Sequence, residues 1–195
     1  MKAAQKIIAL VCSCAILIFM FTACAEKQEK DENSTSSKYS LDIVALASSG
    51  KIPEIPFTLG SSVDEIVSFY KKQLENDDMA YELVESQDGD NTVLDYGSYA
   101  YYYDTEQKAN GIKGITSVDS VFGFAVGSVI MLDDVKQALG ENYTESVPTS
   151  KDLFFLPGEA PQGAKMLYVN AGDNVLKLFF FNNYLSAASL FNSDF

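Results

Sequence analysis

Two pairs of neighbouring acids, Asp64-Glu65 and Asp133-Asp134, are the first groups in this chain whose type and spacing could do chemistry. A carboxylate pair can share acid and base duties in hydrolysis when both groups face one cleft. Each pair sits where a helix is expected to begin, however, and the helix dipole already accounts for acids in a first turn. Neighbouring helix residues also point about 100° apart, which spreads the two carboxylates. A carboxylate-dependent hydrolase acting on cell-wall or extracellular material is therefore an alternative reading, and no catalytic residue is assigned. Asp88-Gly89-Asp90-Asn91 offers oxygen ligands to a hard cation, but it lacks the spacing of a calcium loop and its bidentate Glu. A solvated turn accounts for it. A cation-binding structural or sensory domain is the second alternative, with no metal ligand and no cofactor assigned.

The usual nucleophile–base pairs are missing. The 195 residues include no His, no Trp and no Arg. The three cysteines, Cys12, Cys14 and Cys24, all lie near the N-terminus. Ser34–Ser37 with Lys38 is the nearest approach to a Ser–Lys pair, in a stretch too polar to hold a geometry. The cations number 14, all lysine, against 27 acids, a formal net charge of −13. That charge repels nucleic acid and anionic polymers, so no nucleic-acid partner is expected.

The N-terminus reads as an address. Lys2 and Lys6 precede an almost unbroken apolar run from Ile7 to Phe21, of signal-peptide length and short for a membrane span. Phe21-Thr22-Ala23-Cys24 then resembles a bacterial lipobox, with Phe21 standing where Leu is usual. Residues 1–23 are expected to be a cleaved signal peptide and Cys24 the lipidated N-terminus. The protein is then anchored in the cell membrane, facing the extracytoplasmic side. A plain signal peptide cut near Ala23, or an uncleaved anchor, competes with this reading; the polar tract directly after Cys24 favours lipidation. Residues 24–49 are expected to form a flexible tether, since Ala25–Lys38 has no large apolar residue to offset ordering. Leu41–Gly50 reads either as the end of that tether or as one or two helical turns.

The elements that must position any site begin near residue 50. Phe57-Thr58-Leu59-Gly60-Ser61-Ser62 predicts an extended piece, a turn and capping serines. Val63, Ile66, Val67 and Tyr70 then recur at helical spacing, to about Leu74. A second copy follows: Phe124–Ser128 matches Phe57–Ser61 at an offset of 67, and Leu132–Val135 matches Val63–Ile66 at an offset of 69. Gly140 is placed to end the second helix. Strands are predicted at 81–85, 92–96, 99–103 and 112–118, then at 153–156, 165–170, 175–181 and 184–191. Gly172-Asp173-Asn174 and Asn182-Asn183 are placed as hairpin turns. Helix then antiparallel meander, twice, predicts an α+β fold. The expectation is two tandem helix-plus-antiparallel-sheet repeats forming one pseudo-symmetric domain over 50–195, with repeat one at about 50–118 and repeat two at about 119–195.

The run GKIPEIPFTLGSSVDEIVSFY resembles the opening of the YjgB-like family of secreted Gram-positive lipoproteins. FAVGSVIMLDDVKQALG and LKLFFFNNYLSAASL resemble that family's second half. The repeat is similar, more distantly, to the tandem domains of beta-lactamase-inhibitor proteins and outer-membrane assembly lipoproteins, which present a sheet face to a partner protein. The resemblance implies no activity, and no functional residue is carried over. The first helix reads Phe69-Tyr70-Lys71-Lys72 where the second reads Ala138-Leu139-Gly140, which leaves its end open.

Tyr96, Tyr99, Tyr101, Tyr102 and Tyr103 crowd one stretch. On a strand, Tyr99, Tyr101 and Tyr103 share one face, opposite Ala100 and Tyr102. If exposed, the triad is a partner-binding surface for another surface protein or a glycan; otherwise tyrosine is simply a good strand former. Phe179–Phe181 is expected in a central strand buried on both faces. The sequence thus points to a lipid-anchored, non-catalytic binding module.

Overall fold

The computed structural model describes residues 42–77, 80–118, 130–149, 152 and 159–195. The chain divides into two units, Met1–Ser36 and Ser37–Phe195, and every described residue belongs to the second. Cys24, the signal segment and the second Phe-x-x-Gly-Ser copy at Phe124–Ser128 lie outside the described residues, as does the strand expected at 153–156.

The described residues form an α+β fold with helices α1 (Ile43–Ser48), α2 (Val63–Asn76) and α3 (Leu132–Leu139). The strands are β1 (Val84–Asp88), β2 (Asn91–Tyr96), β3 (Tyr99–Asp104), β4 (Gly114–Ser117), β5 (Thr144–Ser146), β6 (Lys165–Ala171), β7 (Asn174–Phe181) and β8 (Tyr184–Asn192). They make one sheet in the order β1-β2-β3-β4-β8-β7-β6-β5, and all neighbours run antiparallel.

Register aligns one apolar row across six strands: Leu94, Tyr101, Ile115, Leu190, Leu176 and Val169 stand opposite one another in turn. Each is at most 1% exposed. Period-2 alternation puts the row on a single face, where it joins buried residues of all three helices in one core. On the opposite face a smaller cluster packs Ala164, Met166, Phe179 and Ala187. Phe179 and Phe180 are buried in the two different clusters, while Phe181 at the strand end is 39% exposed.

Helix α2 follows its periodicity: Val63, Ile66 and Tyr70 are buried, and Asp64 and Glu65 occupy the first turn. Ser62 takes the N-cap position without a side-chain cap bond. Ser61 works instead within the preceding turn, its Oγ accepting from the Thr58 N–H at 3.1 Å. That lead-in is stitched to the segment before β4, with Gly60 N–H on Ile112 O at 2.8 Å and Ile112 N–H on Ser61 O at 3.0 Å. The crossing requires Gly111: its φ is +77°, and a Cβ there would stand 2.5 Å from the Gly60 carbonyl oxygen.

Asn182 and Asn183 turn the β7–β8 hairpin with φ of 51° and 65°, the left-handed pair that a two-residue turn demands. Residues 42–49, expected as the end of a tether, are part of the fold. Asp42 caps α1 by accepting from the Ala45 N–H at 2.9 Å, and Ile43 and Ala47 are buried. Asn174 of β7 donates to the Ala47 carbonyl at 2.9 Å. Ordered structure therefore starts no later than Asp42. Strand β5 was not anticipated; three residues are too few to show alternation.

Leu190 lies mid-row with no exposure. Leu190→Ala is expected to cost about 2–5 kcal/mol, read as a lowered urea midpoint with an unchanged slope. A loss under about 1 kcal/mol would contradict the row's role.

Candidate functional site

Strand β3 lies inside the sheet between β2 and β4, and the sequence-derived surface lies there with it. Tyr101 is 0% exposed, Tyr103 5% and Tyr102 3%, while Tyr99 is half-buried. The face carrying Tyr99, Tyr101 and Tyr103 turns to the core. The Tyr101 hydroxyl meets the Tyr70 hydroxyl of α2 at 2.5 Å, and Phe57 sets its ring on Tyr101 at 6.0 Å. The opposite face is covered too, since the Tyr102 ring packs against Phe191 of β8 at 5.4 Å. The expectation that Tyr99, Tyr101 and Tyr103 form a partner-binding surface is corrected accordingly. Tyr101 and Tyr103 are interior on one face and Tyr102 is buried on the other, so tyrosine serves here as a strand former.

What reaches the surface is the cluster that Tyr70 joins. Rings run from Phe57 to Phe69 (5.2 Å), Phe69 to Tyr70 (5.1 Å), Tyr70 to Tyr96 (3.8 Å) and Tyr96 to Tyr81 (5.9 Å). The chain of rings emerges at Phe69, 37% exposed, and at Tyr81, 65% exposed. Beside it, between α2 and β1, a groove of about 310 Å³ is floored by buried Tyr70 and Leu94. Val67, Leu74 and Leu83 add apolar wall, and Lys71, Glu82 and Glu85 stand exposed around it. Sequence reading placed the Val67–Tyr70 helix and the strand near Tyr81 but not their approach. The available signal was the apolar excess of α2 at Phe69 and Leu74, beyond what one buried stripe needs.

The hydroxyls in this cluster are hydrogen-bonding groups and not acids at neutral pH. Burial pushes Tyr70 up to about 12, against a partial opposing effect of the bond from Tyr101. Burial raises Tyr101 further still, and its bond to Tyr70 adds to the rise. Burial also carries Tyr102 up to about 12.

Of the acid pairs, Asp64, Glu65 and Asp133 are exposed and Asp134 half-buried, each in the first turn of its helix. Asp64 pairs with Lys108 at 2.7 Å. Asp88 and Asn91 close the β1–β2 hairpin around Gly89-Asp90. Among the described residues no group of three or more acids, His or Cys is arranged to hold a metal ion.

One polar cluster escaped the sequence reading altogether. Lys177 of β7 approaches Asp152 at 3.4 Å, with both side chains under one-fifth exposed. The other Asp152 oxygen accepts from the Thr149 N–H at 2.9 Å and the Thr149 hydroxyl at 2.6 Å. Burial works against the Asp152 carboxylate, yet Thr149, the Tyr168 hydroxyl and Lys177 outweigh it and hold the carboxyl below its ordinary range. The Lys177 ammonium also lies 6.0 Å from the Tyr168 ring and 5.6 Å from the Phe191 ring. A cation paired to a carboxylate and set over two rings is structural, since neither group is left as a free base.

No family model matches the chain, and no curated protein does. Among solved structures, the chain is similar to a crystal structure of a DUF4309 family protein (YjgB) from Bacillus subtilis subsp. subtilis str. 168. The TM-score is 0.44 at 14% identity, over 77% of this chain and 95% of that one. The likeness is one of chain path and brings no activity, ligand or partner with it.

The buried tyrosines make stability pH-dependent with a definite sign. Well below pH 10 they are neutral in both states. Above it the unfolded chain releases protons that the folded one retains, so stability falls as pH rises towards about 12. Each contributes at most about 1.4 kcal/mol per pH unit. Urea midpoints are expected to drop steeply across this window and less steeply in Tyr102→Phe. Identical slopes in the two proteins would contradict the assignment.

Proposed function

We propose that this chain is a lipid-anchored extracytoplasmic binding module without catalytic function, held at the cell membrane through Cys24 and gripping a protein partner at the α2–β1 groove. The observation that carries the reading is the chain of rings running from the buried Tyr101–Tyr70 pair to exposed Phe69 and Tyr81, beside an apolar groove. Rigid aromatic side chains give contact area at low entropic cost and dominate the energetics of interfaces. A floor fixed by a buried hydroxyl pair is organised before the partner arrives, which spares the ordering cost of binding. The aliphatic lining of Val67, Leu74, Leu83 and Leu94 suits a protein side chain better than a glycan, which needs hydroxyl partners around an open ring face. The basic, apolar and small-residue succession of residues 1–24 supports the anchor.

The tandem-repeat architecture belongs to the same proposal. Helices α2 and α3 are each followed by four strands, and the two sets meet through their last members, β4 and β8. That strand order is the one expected of two copies related by a pseudo-two-fold axis.

In cells displaying the full-length protein, a photo-crosslinking residue at Tyr81 is expected to give a discrete adduct, absent from exposed Glu141 and lost on Leu74→Lys. Matching adducts at both positions would overturn the placement. Cys24→Ala is expected to abolish incorporation of an alkynyl fatty acid; retained incorporation would overturn the anchor.

A further inference from the structure

The sheet has two edges, and they are finished differently. At one edge, β5 is three residues long, and its central Glu145 is gripped by Lys136 at 2.5 Å and Lys165 at 3.4 Å. Pro148 follows two residues on. Shortness, a charge clamp and a nearby proline are the usual guards of a sheet edge.

The other edge, β1, has five residues, all exposed. A two-residue turn at Gly89-Asp90, with Gly89 at φ +61°, closes it onto β2 with Asp88 opposite Asn91. Alternation in an antiparallel ladder then turns the N–H and C=O of Val84, Ser86 and Asp88 towards β2. Those of Glu85 and Gln87 point outward, and no other described segment bonds them. The groove lies on this same edge: Leu83 and Glu85 line it, on the sheet face that also carries Leu94. Acid predominates here as well: between Gln73 and Gln107 the chain has ten acids and no lysine, with Lys71 at the groove and Lys108 near Glu85 the flanking cations.

We propose that β1 is a docking edge for an extended, cationic segment of a partner protein, which adds as a ninth strand and seats an apolar side chain in the groove. This inference deepens the binding-module reading and rests on it. Main-chain bonds to Glu85 and Gln87 supply affinity, and alternate side chains supply selectivity. Residues of the incoming strand on the helix side meet Tyr70, Leu74 and Leu94. Glu82 and Glu85 stand on that side too, and the residues between face Val84, Ser86 and Asp88, so a segment that combines lysine or arginine with leucine or valine is the matching pattern. A second copy of this chain is the poorer occupant, because two acid-rich edges repel each other on approach.

The test uses the full-length protein in a neutral detergent and three synthetic probes. The first alternates Lys with Leu and Val, the second replaces Lys by Glu, and the third keeps the Lys sequence but carries N-methyl groups on alternate backbone amides. The first is expected to bind and to slow hydrogen exchange at the Glu85 and Gln87 amides by about tenfold or more. The Glu probe is expected not to bind. The N-methylated probe, with charge intact and strand pairing blocked, is expected to bind at least about tenfold more weakly. Glu85→Lys, at an exposed position, is expected to weaken the first probe similarly while leaving the circular dichroism unchanged.

Equal binding of the Lys and N-methylated probes would overturn strand addition, since charge alone would then suffice. Protection elsewhere than 84–88, or protection of Glu85 and Gln87 that grows with protein concentration in the absence of probe, would also overturn it. Failure of every probe with the Tyr81 adduct retained removes strand addition and leaves the binding module standing. Loss of both removes the groove itself.

Discussion

The fold depends on one continuous apolar contact that crosses the sheet from β2 to β6. Residues 25–195 contain no cysteine, so no disulfide within that stretch can limit the entropy of the unfolded chain. Stability must come from burial. The row from Leu94 through Tyr101, Ile115, Leu190 and Leu176 to Val169 is where that burial is concentrated, and it has no break at β4–β8. That junction joins strands more than 70 residues apart in sequence, as Ile115 against Leu190 shows. Contacts of such separation are slow to form, because loop closure comes before any return in burial. A six-strand row compensates by making the register nearly unique. A slip by one residue at β8 would send Leu190 to the opposite face and bring Ser189 into the row.

Tyr101 is the point where this structural demand meets the candidate site. Its ring fills the row, while its hydroxyl has no water to bond and must find a partner inside. Tyr70 supplies that partner and is thereby fixed on α2, with its other ring face against Tyr96. The groove floor is therefore set by core satisfaction rather than by a loop. A floor of that kind changes little between free and occupied states, and the ordering has already been done by folding.

How much of this the sequence could disclose depends on where the information resides. Helix α2 was legible because Val63, Ile66 and Tyr70 repeat over several turns, and the β7–β8 hairpin because Asn182-Asn183 is a local device. Helix α1 was legible only as one of two alternatives, since six residues are too few to show a period and Ile43 and Ala47 acquire meaning only against β6 and β7. The orientation of β3 was also hidden. Alternation assigns faces only when the residues differ, and here tyrosine stands on both. The groove draws Val67–Leu74 from one segment and Glu82–Leu94 from another, so only their approach in space creates it. The Lys177–Asp152 pair is hidden for the same reason, since neither residue has a local neighbour that hints at the other.

The contrast between the two sheet edges follows from the same economy. An edge strand exposes unpaired backbone groups that any extended chain can use, and β5 meets the problem with brevity and paired charge. β1 meets it with an excess of acid that Lys71 at the groove and Lys108 near Glu85 only partly offset, which repels like copies while remaining attractive to a basic segment. Repulsion between identical edges falls off within a Debye length, about 8 Å at physiological salt, so it acts only at the approach distance where pairing would begin. Under the proposed lipid anchorage the copies would be confined to a surface, which would raise their local concentration and make that short-range repulsion more important. An acidic edge beside an apolar groove thus resolves two opposed requirements: it discourages pairing between crowded neighbours, and it keeps the backbone of Glu85 and Gln87 open to a partner of opposite charge.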